Sequence, residues 1–194
     1  MSKAALALIV GLVAFWLGSA ACAQAVSPDG RFTVWINQTG DGRTDANGSQ
    51  VVVLEDKRSD AERQLLVSHY DADRRRNLTT LTNPLFSLDG GYVYVSATDT
   101  SPNSGAVHQI NLATGAVRFV VGGRAVSVIR TGQYRGYLLV QQHRYREGPQ
   151  FGSFNPVYVI RPEGRVEFLV PGSDNDYGEL AIQPWLAERG WHAW

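Results

Sequence analysis

The sequence predicts an all-β fold, a propeller-like stack of about three to four antiparallel sheet repeats with a short C-terminal helix. Three observations predict it. Between residues 26 and 170 alternating runs rich in Val, Tyr, Phe and Ile recur between Gly, Asp, Asn and Pro clusters, and helical periodicity is nearly absent. A ten-residue phrase repeats: SPDGRFTVWI at 27–36 returns as SLDGGYVYVS at 87–96, more loosely as GQYRGYLLVQ at 132–141, and as a half copy, DYGELAIQ, at 176–183. The aromatic slot of the phrase falls at Phe32, Tyr92, Tyr137 and Leu180, so successive slots are 60, 45 and 43 residues apart. Internal periods of that order belong to propellers and solenoids.

Each full copy opens on a turn and a strand, and a hairpin follows. VHQINLATGAVRFVV at 107–121 turns at Gly115, and VYVIRPEGRVEFLV at 157–170 turns at Pro162 and Gly164. In the first copy the equivalent segment is VVVLEDKRSDAERQLLVSH at 51–69. Ser59-Asp60-Ala61-Glu62 there also reads as a capping box for a short helix. Register with the other two copies favours a hairpin. Near the C-terminus, Pro184 and Gly190 bracket a helix over Trp185 to Arg189. Trp185, Trp191 and Trp194 lie in or beside it, and covering the open end of the stack with them avoids exposing three indoles; an aromatic docking patch is the alternative.

Ser-Pro-Asp-Gly-x-aromatic, followed by a strand, a loop and a hairpin with LATG at its turn, resembles the WD40-like repeat of TolB-type periplasmic β-propellers. The resemblance covers about residues 26–170, is good in the first two copies, and loosens in the third, which lacks Asp-Gly. It implies a propeller fold and an exported location, with the Asp and Gly as turn residues and the aromatic packed between blades. The count of blades stays open, between a compact propeller whose fourth sector is built from 174–194 and an open stack whose last face needs a partner.

Residues 1–25 carry one basic residue (Lys3), an apolar run from Ala4 to Leu17, and the small-x-small pattern Ala23-Gln24-Ala25. That is the grammar of a secretory signal peptide, with Val26 as the expected mature N-terminus and 26–194 as one domain, divided into repeats at about 26–70, 84–122, 126–171 and a partial 174–194. The apolar run is too short to span a bilayer. Cys22, after Ser19-Ala20-Ala21, weakly resembles a lipoprotein box, which makes a lipid anchor the alternative to removal. It is the only cysteine, so a chain cut after it has neither disulfides nor thiol chemistry. Removal of Lys3 leaves one net negative charge, which argues against a nucleic-acid partner.

No nucleophile elbow, zincin helix or phosphate loop occurs in the sequence, and His69, His108, His143 and His192 are never at ligand spacing. Asp41, Asp45 and Asn47, and likewise Asp174 and Asp176, alternate oxygen groups as calcium loops do. Arg43 takes a ligand position in the first run, neither run ends in the bidentate Glu, and turn chemistry explains both. The expectation is therefore a module without cofactor, metal or catalytic residues.

The repeats differ most between the slot strand and the hairpin, at 38–49, 97–106 and 143–155. Connections between equivalent strands emerge on one face, which makes that face the expected binding surface for a protein partner. The candidate contact residues are Asp99, His143, Arg144, Tyr145, Arg146, Phe151 and Phe154, together with Trp191 and Trp194; Tyr, Trp and Arg are the usual anchors of such surfaces. An inhibitor or immunity protein that plugs a secreted enzyme with the 143–155 loop is the alternative. A further alternative is a hydrolase or lyase drawing on Asp99, His143 and Arg144.

Overall fold

The computed structural model describes residues 24–38, 49–98, 104–148 and 152–194. Residues 1–23, which hold most of the expected leader and Cys22, lie outside it. Three four-stranded antiparallel sheets follow one another along the chain, each a meander. The first comprises β1 (Gln24–Val26), β2 (Phe32–Gln38), β3 (Gln50–Asp56) and β4 (Ala61–Val67). The second comprises β5 (Leu81–Phe86), β6 (Tyr92–Ala97), β7 (Ala106–Asn111) and β8 (Val117–Gly122). The third runs β9 (Arg124–Val128), β10 (Leu138–Gln141), β13 (Val157–Ile160) and β14 (Val166–Leu169), and a small hairpin of β11 (Arg144–Tyr145) and β12 (Ser153–Phe154) stands on the β10 to β13 connection. The segment with the capping-box pattern is the β3–β4 hairpin, with Asp60 at φ 54° in its turn.

Each sheet has one strand more than the repeat phrase suggested, because β1, β5 and β9 precede the turn with which the phrase begins. β1 starts at Gln24, two residues upstream of the expected Val26 terminus, and pairs Gln24 with Trp35, Ala25 with Val34 and Val26 with Thr33. β5 reads poorly as a strand because it contains Pro84. Its ladder with β6 shifts register between Thr82 and Leu85, and at such a bulge a missing N–H is tolerated.

The turn between first and second strands is the same object twice. Ser27 Oγ donates to Asp29 Oδ1 at 2.6 Å and accepts from the N–H of Phe32 at 2.8 Å. Ser87 Oγ donates to Asp89 Oδ1 at 2.6 Å and accepts from the N–H of Tyr92 at 2.9 Å. The carboxylates also accept from the N–H of Arg31 and Gly91, and Gly30 and Gly90 sit at φ 71° and 70°, a conformation glycine adopts without strain. These hydrogen bonds to the charged form hold both carboxyls below the ordinary Asp range, the Ser hydroxyl being the largest cause in each. In the third sheet a longer loop does the job without the acid, closed by Ile129 N–H to Tyr137 O and Gly136 N–H to Ile129 O.

Alternation along the strands gives each sheet two apolar faces, and burial stacks the sheets. Val34, Ile36, Val52 and Leu54 of the first sheet meet Phe86, Val93, Val95 and Ile110 of the second. On its other face the second sheet presents Tyr94, Val107 and Val120 to Ala125, Leu138, Val140 and Ile160 of the third. The far face of the third sheet, with Leu139, Val157 and Val159, is covered by Ile182, Trp185, Leu186 and Trp191. Strand packing joins β1 and β2 to β5, and β5, β6 and β7 to β9, and none of comparable extent joins the first sheet to the third.

Residues 174–194 are therefore a cap and not a fourth repeat. Leu180, assigned to the aromatic slot, is 72% exposed on a 3-10 turn (Gly178–Ala181) that leads directly into α1 (Ile182–Ala187). The helix begins three residues before the expected Trp185 because this turn launches it. Pro184 is its third residue, still within the first turn, where no intrahelical acceptor exists for an N–H. No helix among the described residues is long and apolar enough to cross a membrane.

Candidate functional site: the loop end of the sheets

The connections β2 to β3, β6 to β7 and β10 to β13 all leave the sheets at the same end: Gln50 at the start of β3 bonds Leu81, which pairs with Ala97 at the end of β6, and Gln142 after β10 bonds Gly122, which pairs with Ala106 at the start of β7. Most of the first connection, residues 99–103 of the second and 149–151 of the third lie outside the described residues, and Asp41, Asp45, Asn47, Asp99 and Phe151 with them.

The described part of the third connection is tightly held. Gln142 Nε2 donates to the carbonyl of Gly122 at 2.7 Å, and Arg144 donates to Gln142 Oε1 at 2.5 Å. His143 Nδ1 lies 3.1 Å from Asn155 Oδ1, and its ring meets the Tyr145 ring edge-on at 4.9 Å. Across the hairpin Arg144 pairs with Phe154 and Tyr145 with Ser153, and the Arg146 guanidinium stacks 4.7 Å from the Phe154 ring. Phe154 is thus half covered, whereas Tyr145 on β11 is 76% exposed. His143, Arg144, Tyr145, Arg146 and Phe154 form one projecting element.

Trp191 and Trp194 are not part of it. Both lie at the opposite end of the third sheet, where the C-terminal tail follows β9: the backbones of Trp194 and Val128 exchange hydrogen bonds at 3.2 Å. Trp191 packs edge-on against Tyr134 and Trp185, and Trp194 lies under the Arg130 guanidinium at 4.0 Å. Their separation from the 143–146 group follows from strand direction: β10 carries the chain from the tryptophan end at Leu138 to the loop end at Gln141.

Beside the hairpin the loop end holds a cavity of about 480 Å³ that sequence reading missed, walled by residues from both sides of the junction between second and third sheets. Thr80 lies just before β5 and Thr82 and Asn83 lie in it, Arg124 and Gln141 come from facing ends of β9 and β10, and Asn155, Asp176, Tyr177 and Glu179 from the third connection and the C-terminal segment. Arg124 donates to Gln141 Oε1 at 2.9 Å and to Glu179 Oε2 at 2.8 Å, and Asn155 Nδ2 donates to the carbonyl of Asp176 at 3.1 Å. Thr80 and Asn83 both have φ 48°, a left-handed backbone that a β-branched threonine adopts only under strain. The one sequence signal touching this cavity is SDNDYGE at 173–179. Its Asn175 makes an Asx turn to the N–H of Tyr177 at 2.8 Å. No group of three His, Cys, Asp or Glu side chains is arranged for a metal among the described residues.

His108 is the one histidine in the core, on β7 between sheets, with Nε2 donating to the carbonyl of Arg75 at 3.0 Å. Burial pushes its pKa below the ordinary value, so it is held neutral and away from solvent.

No family model matches the chain, and no curated protein matches it. Among solved structures, the Porphyromonas gingivalis dipeptidyl peptidase 4 is similar over 77% of this chain and 24% of its own, at 8% identity and a TM-score of 0.49. The Pyrococcus horikoshii acylaminoacyl peptidase matches 72% of this chain and 23% of its own (14% identity, TM-score 0.47). The tricorn protease matches 72% of this chain and 12% of its own (12% identity, TM-score 0.45). This chain thus spans no more than about a quarter of any of the three. At TM-scores below 0.5 the likeness is loose, and the architecture rests on the sheets themselves.

Proposed function

We propose that this chain is an exported, non-enzymatic protein-binding module that holds its partner at the loop end of the stack, with the β11–β12 hairpin as the main contact. The observation that carries the reading is the hairpin itself. A tyrosine 76% exposed stands on a strand whose neighbours are fixed by hydrogen bonds from Gln142 and Arg144 and by stacking of Arg146 on Phe154. An amphipathic ring presented on a preorganised support loses little conformational freedom on binding, which is what makes Tyr and Arg effective anchors. Export is supported by the leader at 1–25, and the resemblance of the turn phrase to TolB-type repeats favours the periplasm.

The test is site-specific crosslinking in the producing cell. A photoreactive residue at position 145 should trap one defined adduct, the same residue at Thr114, in a turn at the opposite end, should not, and Arg144→Ala with Arg146→Ala should abolish it. Surface changes of this kind alter stability by about 0.5 kcal/mol or less, so the melting temperature serves as the control. The same adduct from both positions, or none from position 145, overturns the reading.

A further inference from the structure

We propose that the cavity between the second and third sheets at the loop end is a binding site for a neutral saccharide. Its backbone is strained where it faces the cavity. Thr80 and Asn83, three residues apart, both hold φ 48°, and the β5 ladder slips register between Thr82 and Leu85, at Asn83 itself. Glycine would relieve both positions, yet neither is glycine. Strain and bulges that persist in this way concentrate at binding sites, where they aim side chains.

The chemistry of the walls selects the ligand class. Every lining side chain carries a hydrogen-bonding group, which disfavours an apolar occupant. Arg124 is paired with Glu179 at 2.8 Å, so the cavity offers no free cation to an anion, while the Asp176 carboxylate repels one. A metal is equally unserved, since among the described residues no three ligating side chains converge there. What remains is a neutral ligand rich in hydroxyls. The donors and acceptors are already oriented by one another, through Arg124 to Gln141, Gln141 Nε2 to the carbonyl of Asn155 at 3.2 Å, and Asn155 to Asp176. Tyr177, 71% exposed among these groups, supplies a flat apolar face. Planar polar side chains around one exposed aromatic ring suit a pyranose, whose hydroxyls lie at its edge and whose C–H face can lie on the ring. The volume of about 480 Å³ accommodates one or two such rings.

This inference does not depend on the protein-partner reading, and the experiment separates them. Glucose, galactose, N-acetylglucosamine and maltotriose are titrated into the protein, with binding followed by saturation-transfer NMR. At least one of the four should bind saturably. Tyr177→Ala and Asp176→Asn should each weaken it about tenfold or more, Tyr177→Trp should retain it, and Tyr145→Ala, on β11, should leave it unchanged. Galacturonate should bind more weakly than galactose. Tyr177 is mostly exposed, so its replacement leaves the fold intact, which the melting temperature verifies. Absence of binding by all four sugars, wild-type binding by Tyr177→Ala, or preference for the acidic sugar overturns the proposal.

Discussion

Ser27 and Ser87 each close their turn from both sides, with the hydroxyl bound at once to an aspartate and to the N–H of the aromatic residue that opens the next strand. Ser87 is buried, so Ser87→Ala leaves the N–H of Tyr92 without its acceptor and should destabilise the protein by about 1 kcal/mol in urea unfolding. Asp89 reports on the same turn through pH. Its folded pKa lies below the unfolded one, so its contribution is present above the unfolded value near 3.8 and is lost as pH falls through the folded value. Asp89→Asn should therefore flatten the stability profile below about pH 4 and leave its shape near neutrality unaltered. His108 acts in a different window with the same slope. Its folded pKa is depressed by burial, so the unfolded chain binds the extra proton, and stability is full above about pH 6.5 and declines as pH falls below it. Replacement by leucine should remove that decline from melting curves recorded between pH 6.5 and 4.5, and an unchanged decline would assign it to other groups.

The repeated turn was legible in the sequence because it is local chemistry: Ser, Asp and Gly at fixed offsets make the same bonds wherever they occur. The leading strands were not, since β1 has three residues, β5 contains Pro84, and pairing with the following strand defines both. The cavity at the loop end was illegible for a related reason. Its walls come from positions near 80, 124, 141 and 176, which only the stacking of two sheets brings together. The loop at 143–155, by contrast, stood out by composition, although the hairpin within it did not. β1 has a consequence for processing. Cleavage after Ala25 would remove Gln24 and Ala25, hence two of its three pairs with β2 and an alanine packed on the first core. The small-x-small frame Ala21-Cys22-Ala23, two residues upstream, keeps all three of these pairs. If the chain is exported as proposed, the intact mass of its processed form should therefore place Gln24 at the N-terminus; a chain beginning at Val26, or an acylated Cys22, would refute this. At the other end the cap is sensitive to one methyl group. A Cβ on Gly132, at φ 83°, would meet the Trp191 indole at 2.3 Å. Gly132→Ala should lower the melting temperature and shift tryptophan emission to the red as Trp191 is displaced from Tyr134 and Trp185.

Stacking in series gives the three sheets unequal protection. The second is covered on one face by the first sheet, through Val93, Val95 and Ile110, and on the other by the third, through Tyr94 and Val107. Polar ties reinforce both junctions. Gln50 acts as a strand edge for Leu81, accepting from its N–H at 2.6 Å and donating to its carbonyl at 3.2 Å, and on the far side Ser96 Oγ accepts from the N–H of Ala125 at 3.0 Å. The third sheet has a neighbour on one face and, on the other, a single short helix with the tail after it, whose Trp185 and Trp191 pack there, Trp185 against Phe168 of the sheet itself. Where units contact only their neighbours, stability is close to a sum of unit and junction terms, so the unit with two sheet junctions should open last. Native-state hydrogen exchange should accordingly find the slowest amides on β6 and β7 and the fastest sheet amides on the outer strands β4 and β14, whose side chains are largely exposed. Truncation before residue 174 removes the cap and uncovers Leu139, Val157 and Val159. It should speed exchange in β10 and β13 well before it reaches β6 and β7. Uniform acceleration in all three sheets would mean that the stack opens as one cooperative unit, and the serial picture would fail.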